Sequence, residues 1–476
     1  MKGLIALAIG VFCASSAVFG MFFSKTHPQL LCTSPVLPAT AEATTAAPLS
    51  PSMAAEGRQS WETQMCALGE SRFWRDVKRA RLDQSKHGEL FERLLHEVVL
   101  PEVVAERPAL ENATAPLLPV LDDAWCRASG FGPRMNGPAP LLVVDVVFFG
   151  VDVDMLEVRI LELQDVVDMF VIFESPLTHS GLRKGYVLQP LMPELRRRFP
   201  RARLLYAPFT DLDLEVLSRG DSFNVSKTDG RNWNHEVRSR QYMFLKVLKS
   251  LPAGSEGFVI SGDTDEIPAR ETVWAARHCA WPVAEGGPGE VCTEVVQYQC
   301  TLGTLFRAGH SPKGKQLEVR KFPLLLSLSE LRRRAARGLT EMDLRPYDVD
   351  RSCDTPRGVH LSWFGGLWRT MFKLVATVEG SQYLHGTRLL DAMLAAACHR
   401  DEFHRELNRT ALMFHPHWAH LVSRDRSLAW PVPWAIRQNP RRYASFLGQF
   451  PTCGQNRWQY CDDTLTLAQF LWKKNK

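Results

Sequence analysis

Leu141-Leu-Val-Val-Asp-Val-Val-Phe-Phe149 decides the fold class. It is a continuous run of strand length, rich in β-branched residues, and suits a strand buried on both faces of a sheet. Asp154 to Gln164 follows, with Met155, Val158, Ile160, Leu161 and Leu163 set between Glu157, Arg159 and Glu162, a short helical pattern. Val166 to Phe173 reads as a second buried strand. Strand, helix and strand in close succession form a βαβ unit, which implies a parallel sheet with a right-handed crossover. Further on, Arg203-Leu-Leu-Tyr-Ala207 is a candidate third strand, Trp233 to Leu251 a long helix and Gly257-Phe-Val-Ile-Ser261 another strand. The expected fold is α/β, doubly wound and Rossmann-like, with a mostly parallel sheet.

In such sheets ligands bind beyond the carboxyl ends of the strands. Polar residues collect there: Gly150-Val-Asp152-Val-Asp154 after the first run, Glu174 with Thr178-His179-Ser-Gly181-Leu-Arg-Lys184 after the second, and Asp263-Thr-Asp265-Glu266 after the run ending at Ser261. The last is the sharpest. Two carboxylates one residue apart at a strand end can reach one hard divalent cation, which takes its other ligands from phosphates and water. A sugar nucleotide needs such help, because its diphosphate leaving group gains negative charge as the glycosidic bond breaks. The alternative is a helix N-terminus, opened by Pro268, with acidic residues favourably placed beside it.

Several blocks in order resemble one family. Asp154-Met-Leu-Glu-Val-Arg159, Glu162-Leu, Asp165-Val-Val-Asp168, Phe170-Val-Ile-Phe-Glu174-Ser175 and Thr178-His179-Ser-Gly181-Leu-Arg-Lys184 come first. Trp233, Glu236 and Arg240 follow, then Gly262-Asp-Thr-Asp-Glu-Ile-Pro-Ala-Arg270, His360-Leu-Ser-Trp363-Phe364 and Phe372-Lys373-Leu374. Together they resemble the glycosyltransferase family that includes the bisecting GlcNAc transferase, the β-1,4-mannosyl-glycoprotein 4-β-N-acetylglucosaminyltransferase. The resemblance implies a GT-A-like fold, a nucleotide-sugar donor (UDP-GlcNAc), a glycan or glycoprotein acceptor and an inverting transfer. The chain departs from the family at Gly150-Val-Asp152, where an Asn-Glu pair is usual, and between Gln297 and Val359.

Roles then distribute over the candidates. Asp263 and Asp265 would hold Mn²⁺ or Mg²⁺ against the donor diphosphate, with His360 either a further metal or phosphate contact or a hydrogen-bonded structural histidine. Lys373, Arg240 and Lys184 are cations for donor phosphate. A general base must take the acceptor proton, and Glu174, Glu266 and Glu271 qualify by position without a ranking. Thr178, His179 and Trp363 would shape the sugar pocket, although for Trp363 a place in the core is the stronger reading, because aromatics mostly contribute burial. A catalytically silent carbohydrate-binding protein on the same fold is the main alternative, and a metal-dependent phosphohydrolase a weaker one for want of a His-rich two-metal set.

The surrounding chain agrees with a secretory destination. Gly3 to Phe23 contains no charged residue and reads as a signal anchor over 1–24, with a cleaved signal peptide as the alternative. A flexible Pro/Ala/Thr/Ser stem spans 25–60, a helical section and Pro-rich joint 61–139, and the catalytic domain 140–472. That layout and the resemblance imply a single-pass type II protein of the Golgi membrane. Asn112, Asn224 and Asn408 begin N-glycosylation sequons. Of 11 cysteines, Cys13 lies in the apolar segment, and Cys292 with Cys300 and Cys453 with Cys461 bracket short segments suited to local disulfides. A net charge of +5, from 57 basic and 52 acidic residues, excludes a nucleic-acid footprint. The Arg332-Arg-Arg334 and Arg337 run reads as a solvated helix face.

Overall fold

A computed structural model describes residues 87–104, 107–135, 141–218, 233–281, 289–299, 301–307, 319–320, 323–339, 344, 358–362, 364–365, 367–377, 420–423 and 431–447. All belong to one compact unit, Gln59–Lys476. The expected membrane segment and stem, Trp363, Asn224, Asn408, Cys300, Cys453 and Cys461 lie outside them. Among the described residues no helix is long and apolar enough to cross a membrane.

The strands are β1 Leu142–Phe149, β2 Met169–Glu174, β3 Leu204–Pro208, β4 Gly257–Ser261, β5 Glu266–Ile267, β6 Glu290–Cys292, β7 Val295–Gln299, β8 Thr301–Arg307, β9 Val319–Arg320, β10 Leu324–Ser327, β11 Gly358–Ser362 and β12 His420–Ser423. The helices are α1 His87–Leu94, α2 Leu100–Val104, α3 Asp123–Ala128, α4 Val153–Leu163, α5 Met192–Arg198, α6 Asp211–Ser218, α7 Trp233–Ser250, α8 Arg270–His278, α9 Leu328–Ala336, α10 Leu367–Ala376 and α11 Trp434–Gln438. A π-helical stretch, Leu95–Val99, joins α1 to α2.

The main sheet runs β3-β2-β1-β4-β10-β6. Its β3-β2-β1-β4 part is parallel, and β10 is antiparallel to both β4 and β6. The sequence order turns back between β1 and β4, which makes their carboxyl ends the switch point of the sheet. β1 alternates as a strand covered on both faces must. Val143, Val147 and Phe149 pack with α4 residues such as Val158 and Leu161, while Val144 and Val146 pack with Met243, Phe244 and Val247 of α7. The mixed α/β fold with a mostly parallel central sheet is Rossmann-like, as the first strand and its crossover predict.

Local corrections have physical reasons. Every residue of α4 is buried, its charged ones included. Each acidic or basic side chain there finds a partner: Glu157 with Arg442, Arg159 with Asp145, and Glu162 with the Ala435 amide. β2 starts only at Met169, because the Val166 and Val167 amides both bond back to the Leu163 carbonyl and close the helix first. Pro268 does not open the following helix: β5 intervenes, and α8 begins at Arg270 with Ala269 as its N-cap. In the arginine run, Arg333 is exposed, but Arg334 is buried between Glu290 and Glu330, so that side of α9 is a packed ion-pair surface.

A second sheet runs β12-β8-β7-β11-β5, with β9 on β7. It attaches to the first through β5, directly after the Asp263–Glu266 turn. Gly358 opens β11 where β5 passes close by: a Cβ there would lie 2.2 Å from the Ile267 carbonyl oxygen. The N-terminal arm joins the same body, with Leu90, Phe91, Leu94, Leu95, Val98, Val99 and Val103 in the core that includes β1 and α4. Cys126 of α3 forms a disulfide with Cys279 just after α8, across 153 residues of sequence. This long-range bridge is not among the local pairs that the cysteine spacing suggested.

Candidate donor site

The site is built on a buried ion pair. Asp145, the one charge inside β1, points to the α4 face and accepts two bonds from Arg159, from Nε and Nη2, each at 2.7 Å. Both side chains are completely buried. Such a pair survives only when further hydrogen bonds satisfy what remains of the charges. Here Nη1 of Arg159 donates to the carbonyls of Asp263 (2.9 Å) and Glu266 (2.6 Å). The guanidinium therefore pins both ends of the acidic turn to β1. Thr264 adds a bond from Oγ1 to the Phe148 carbonyl at 3.0 Å, and the Glu266 carboxylate accepts from the Asp263 amide at 2.8 Å. Leu361 of β11 donates its amide to the Asp265 carbonyl at 2.9 Å.

Held in this way, the two aspartates meet cations from opposite sides. Asp263 Oδ1 lies 2.6 Å from Nη2 of Arg240 on α7, which also holds Glu236 one turn earlier at 2.7 Å. Asp265 Oδ2 lies 2.6 Å from Nζ of Lys373 on α10 and 3.8 Å from Nε2 of His360 on β11. Ser362 Oγ is 2.8 Å from that same His360 nitrogen. Burial alone would raise the Asp265 carboxyl, but Lys373 and His360 outweigh it and hold the carboxyl well below the usual range. Burial would likewise lower the Lys373 ammonium, and Asp265 and Asp152 push it up instead. Asp265 is thus an anion and Lys373 a cation at any physiological pH.

The structure brings Asp263, Asp265, Arg240, Lys373 and His360 together. His179 borders them: its ring stacks on Phe148 with centroids 5.1 Å apart. Burial, the largest influence, depresses its pKa in the fields of Glu236, Arg240 and Asp263. Thr178 closes the loop beside it, accepting from the Leu182 amide and bonding to Ser180. Lys184 sits elsewhere, 2.7 Å from Glu174 in a buried pair. Glu174 is filled by donors: Lys184, the Val187 and Leu188 amides and the Tyr206 hydroxyl. Glu266 is buried as the clasp of the acidic turn. Glu271 begins α8 on the side of Glu162, whose carboxyl its charge helps to raise. Asn112 is exposed, its Oδ1 accepting from the Thr114 amide at 2.7 Å.

Three contributors escape a motif reading: Asp145, Arg159 and Asp152, whose Oδ2 lies 3.8 Å from Nζ of Lys373. Asp145 was signalled by being the lone charge in an apolar strand, and Arg159 by falling among the buried positions of the next helix. For Asp152 the signal was its place after the first strand.

For a divalent cation, the donor set is carboxylate and hard. Two carboxylates from one rigid turn, Asp265 held ionised, fit a cation completed by phosphate and water. Among the described residues no group of three His, Cys, Asp or Glu side chains converges on one point.

Comparison with known proteins adds the family. No curated protein matches the chain in sequence. Among solved structures, CTP:phosphocholine cytidylyltransferase from Streptococcus pneumoniae is similar at 11% identity and a TM-score of 0.22, over 52% of this chain and 98% of that one. The glycosyltransferase family 17 model matches residues 117–284, a span that holds β1 to β4, Asp152, Arg159, Arg240, Asp263 and Asp265. Over that region the chain is similar to glycosyltransferase family 17, the family of the bisecting GlcNAc transferase.

Proposed function

We propose that this glycosyltransferase moves GlcNAc from UDP-GlcNAc to a mannose residue of an N-glycan, with inversion, on a GT-A-like scaffold. The observation that carries the reading is the Asp263–Asp265 turn at the β1/β4 switch point, faced by Lys373 and Arg240. Mn²⁺ or Mg²⁺ on these carboxylates would act as a Lewis acid toward the departing diphosphate. Asp263 and Asp265 would hold it, Lys373 would add positive charge beside the phosphates, and Arg240 holds Asp263 in register from α7. His360 orients toward Asp265 through Ser362. His179 and Thr178 belong to the sugar pocket.

Of the base candidates, Glu174 and Glu266 are buried and occupied by donors, whereas Glu271 keeps part of its side chain in solvent. Glu174 and Lys184 together anchor the 175–188 loop, a positioning role rather than contact with phosphate. The Cys126–Cys279 disulfide supports an oxidising compartment, in line with a Golgi lumenal domain behind an N-terminal anchor. The exposed Asn112 suits glycosylation there.

One observation favours a second reading. Both aspartates already carry a side-chain cation, as they would in a silent carbohydrate-binding protein that needs no metal. The full-chain protein, given nucleotide sugars and Mn²⁺ with and without a hybrid N-glycan, decides between them. Acceptor-stimulated UDP release from UDP-GlcNAc, lost in Asp265→Ala, supports transfer. Glycan binding by folded protein with no turnover of any donor supports the silent module.

A further inference from the structure

Asp152 is the N-cap residue of α4, yet its side chain makes no capping hydrogen bond. A carboxylate in that position ordinarily accepts from an amide in the first turn. This one instead places Oδ2 at 3.8 Å from Nζ of Lys373, the ammonium that Asp265 holds at 2.6 Å. Lys373 is thereby shared between two acids beyond neighbouring strands, β1 and β4. Burial pushes the Asp152 carboxyl up, against the opposing pull of Lys373 and Arg369. A carboxyl group set there beside Lys373 without capping its helix points to what it holds.

The helix that carries Lys373 is itself fixed. Arg369 lies one turn earlier on the same face of α10 and is buried. It pairs with Asp154, donates to the Gly365 carbonyl at 2.9 Å and approaches Glu102 of α2 at 3.4 Å. Gly365 adopts φ +104°, and a Cβ on it would lie 2.5 Å from the Arg369 guanidinium. The rotation of α10 is set from below, so the Lys373 ammonium has two carboxyl groups within reach.

We propose that Asp152 is a positioning residue of the donor site, keeping the Lys373 ammonium at the strand ends when a divalent cation engages Asp265, so that it faces the donor diphosphate. This rests on the nucleotide-sugar reading above. Two cations repel when they share one carboxylate, and a metal on Asp265 weakens its hold on Lys373. Asp152 supplies the second anchor.

The test is a double-mutant cycle on full-chain protein with Asp152→Asn, Lys373→Met and both, reading UDP binding in Mn²⁺ by calorimetry and thermal unfolding alongside. Asp152→Asn should weaken UDP binding about five- to tenfold while the melting temperature holds or rises, since Asn caps a helix as well as Asp and carries no buried charge. In the Lys373→Met background the same change should be worth less than about twofold. UDP affinity unchanged in Asp152→Asn, or full additivity in the cycle, overturns the inference and leaves the transferase reading standing. Should Lys373→Met fail to fold, the single variant still decides, because a structural role would lower stability and affinity together. Wild-type protein that binds no UDP with Mn²⁺ defeats the donor reading first, and this inference with it.

Discussion

Two layers of charge lie along β1 and beyond the carboxyl ends of β1 and β4, and they are built on opposite plans. In the lower layer Asp145 and Arg159 are fully buried, and Nε, Nη1 and Nη2 of the arginine all donate at 2.6–2.9 Å. In the upper layer the pairs are equally short, but Asp263 keeps 33% of its side chain in solvent and Lys373 24%. Burial sets what each can do. A dry pair is locked, because opening it strands a charge in low dielectric. A pair open to water exchanges partners at little cost. The lower layer therefore holds the shape of the acidic turn, and the upper layer is where a ligand can substitute for a side chain.

Cutting the lower layer is the hardest way to break this contrast. Arg159→Met should cost about 3–5 kcal/mol in urea denaturation, the usual effect of leaving one member of a buried pair. Adding Asp145→Leu should restore much of that loss, since an apolar pair of similar volume needs no solvation. A loss under about 1 kcal/mol would erase the distinction between the layers. Cutting the upper layer should do the reverse. Asp265→Ala is expected to lower acceptor-stimulated UDP release about a hundredfold or more, with the urea midpoint nearly unmoved. Lys373 then still faces Asp152. Collapse of the fold in this variant, or transfer at the wild-type rate, would put Asp265 in the wrong layer.

The two layers were also unequally visible in the sequence. Strand period and β-branched composition sufficed for β1 and β4, and an acidic pair after an apolar run sufficed for the Asp263–Asp265 turn. Those are local signals. Lys373 and His360 come from about a hundred residues further on, and reached the candidate list mainly through block resemblance. Arg159 stood in a quoted block without a role, because helical periodicity gives a face but not the partner across it. Nothing local told that α4 would bury its charges, for that depends on Arg442 and Ala435 arriving from the far end of the chain. In sequence Asp152 stands out only as a departure from a motif, and its approach to Lys373 shows where its side chain goes. The Cys126–Cys279 bridge was illegible for the same reason: spacing favours near neighbours, while α3 and the end of α8 meet only in the folded chain.

The smallest expected effect probes a buried acid that lacks the matched cation Asp145 enjoys. Glu162 on α4 accepts the Ala435 amide at 2.7 Å. Burial pushes its carboxyl up to about 8, Glu271 adds to the rise, and the Ala435 amide, Arg270 and Arg437 oppose it. The folded protein therefore favours the protonated form, while the unfolded chain ionises near the ordinary carboxylate value. Between those two values the native state binds the extra proton, so stability is full at acid pH and falls as pH rises toward 8. Roughly 2 kcal/mol should be lost between about pH 6 and 8 on this account. Glu162→Gln, which cannot ionise and can still accept from Ala435, should flatten that slope in urea titrations at several pH values. A slope that survives the substitution would mean that Glu162 is already satisfied as an anion, as Glu157 is by Arg442.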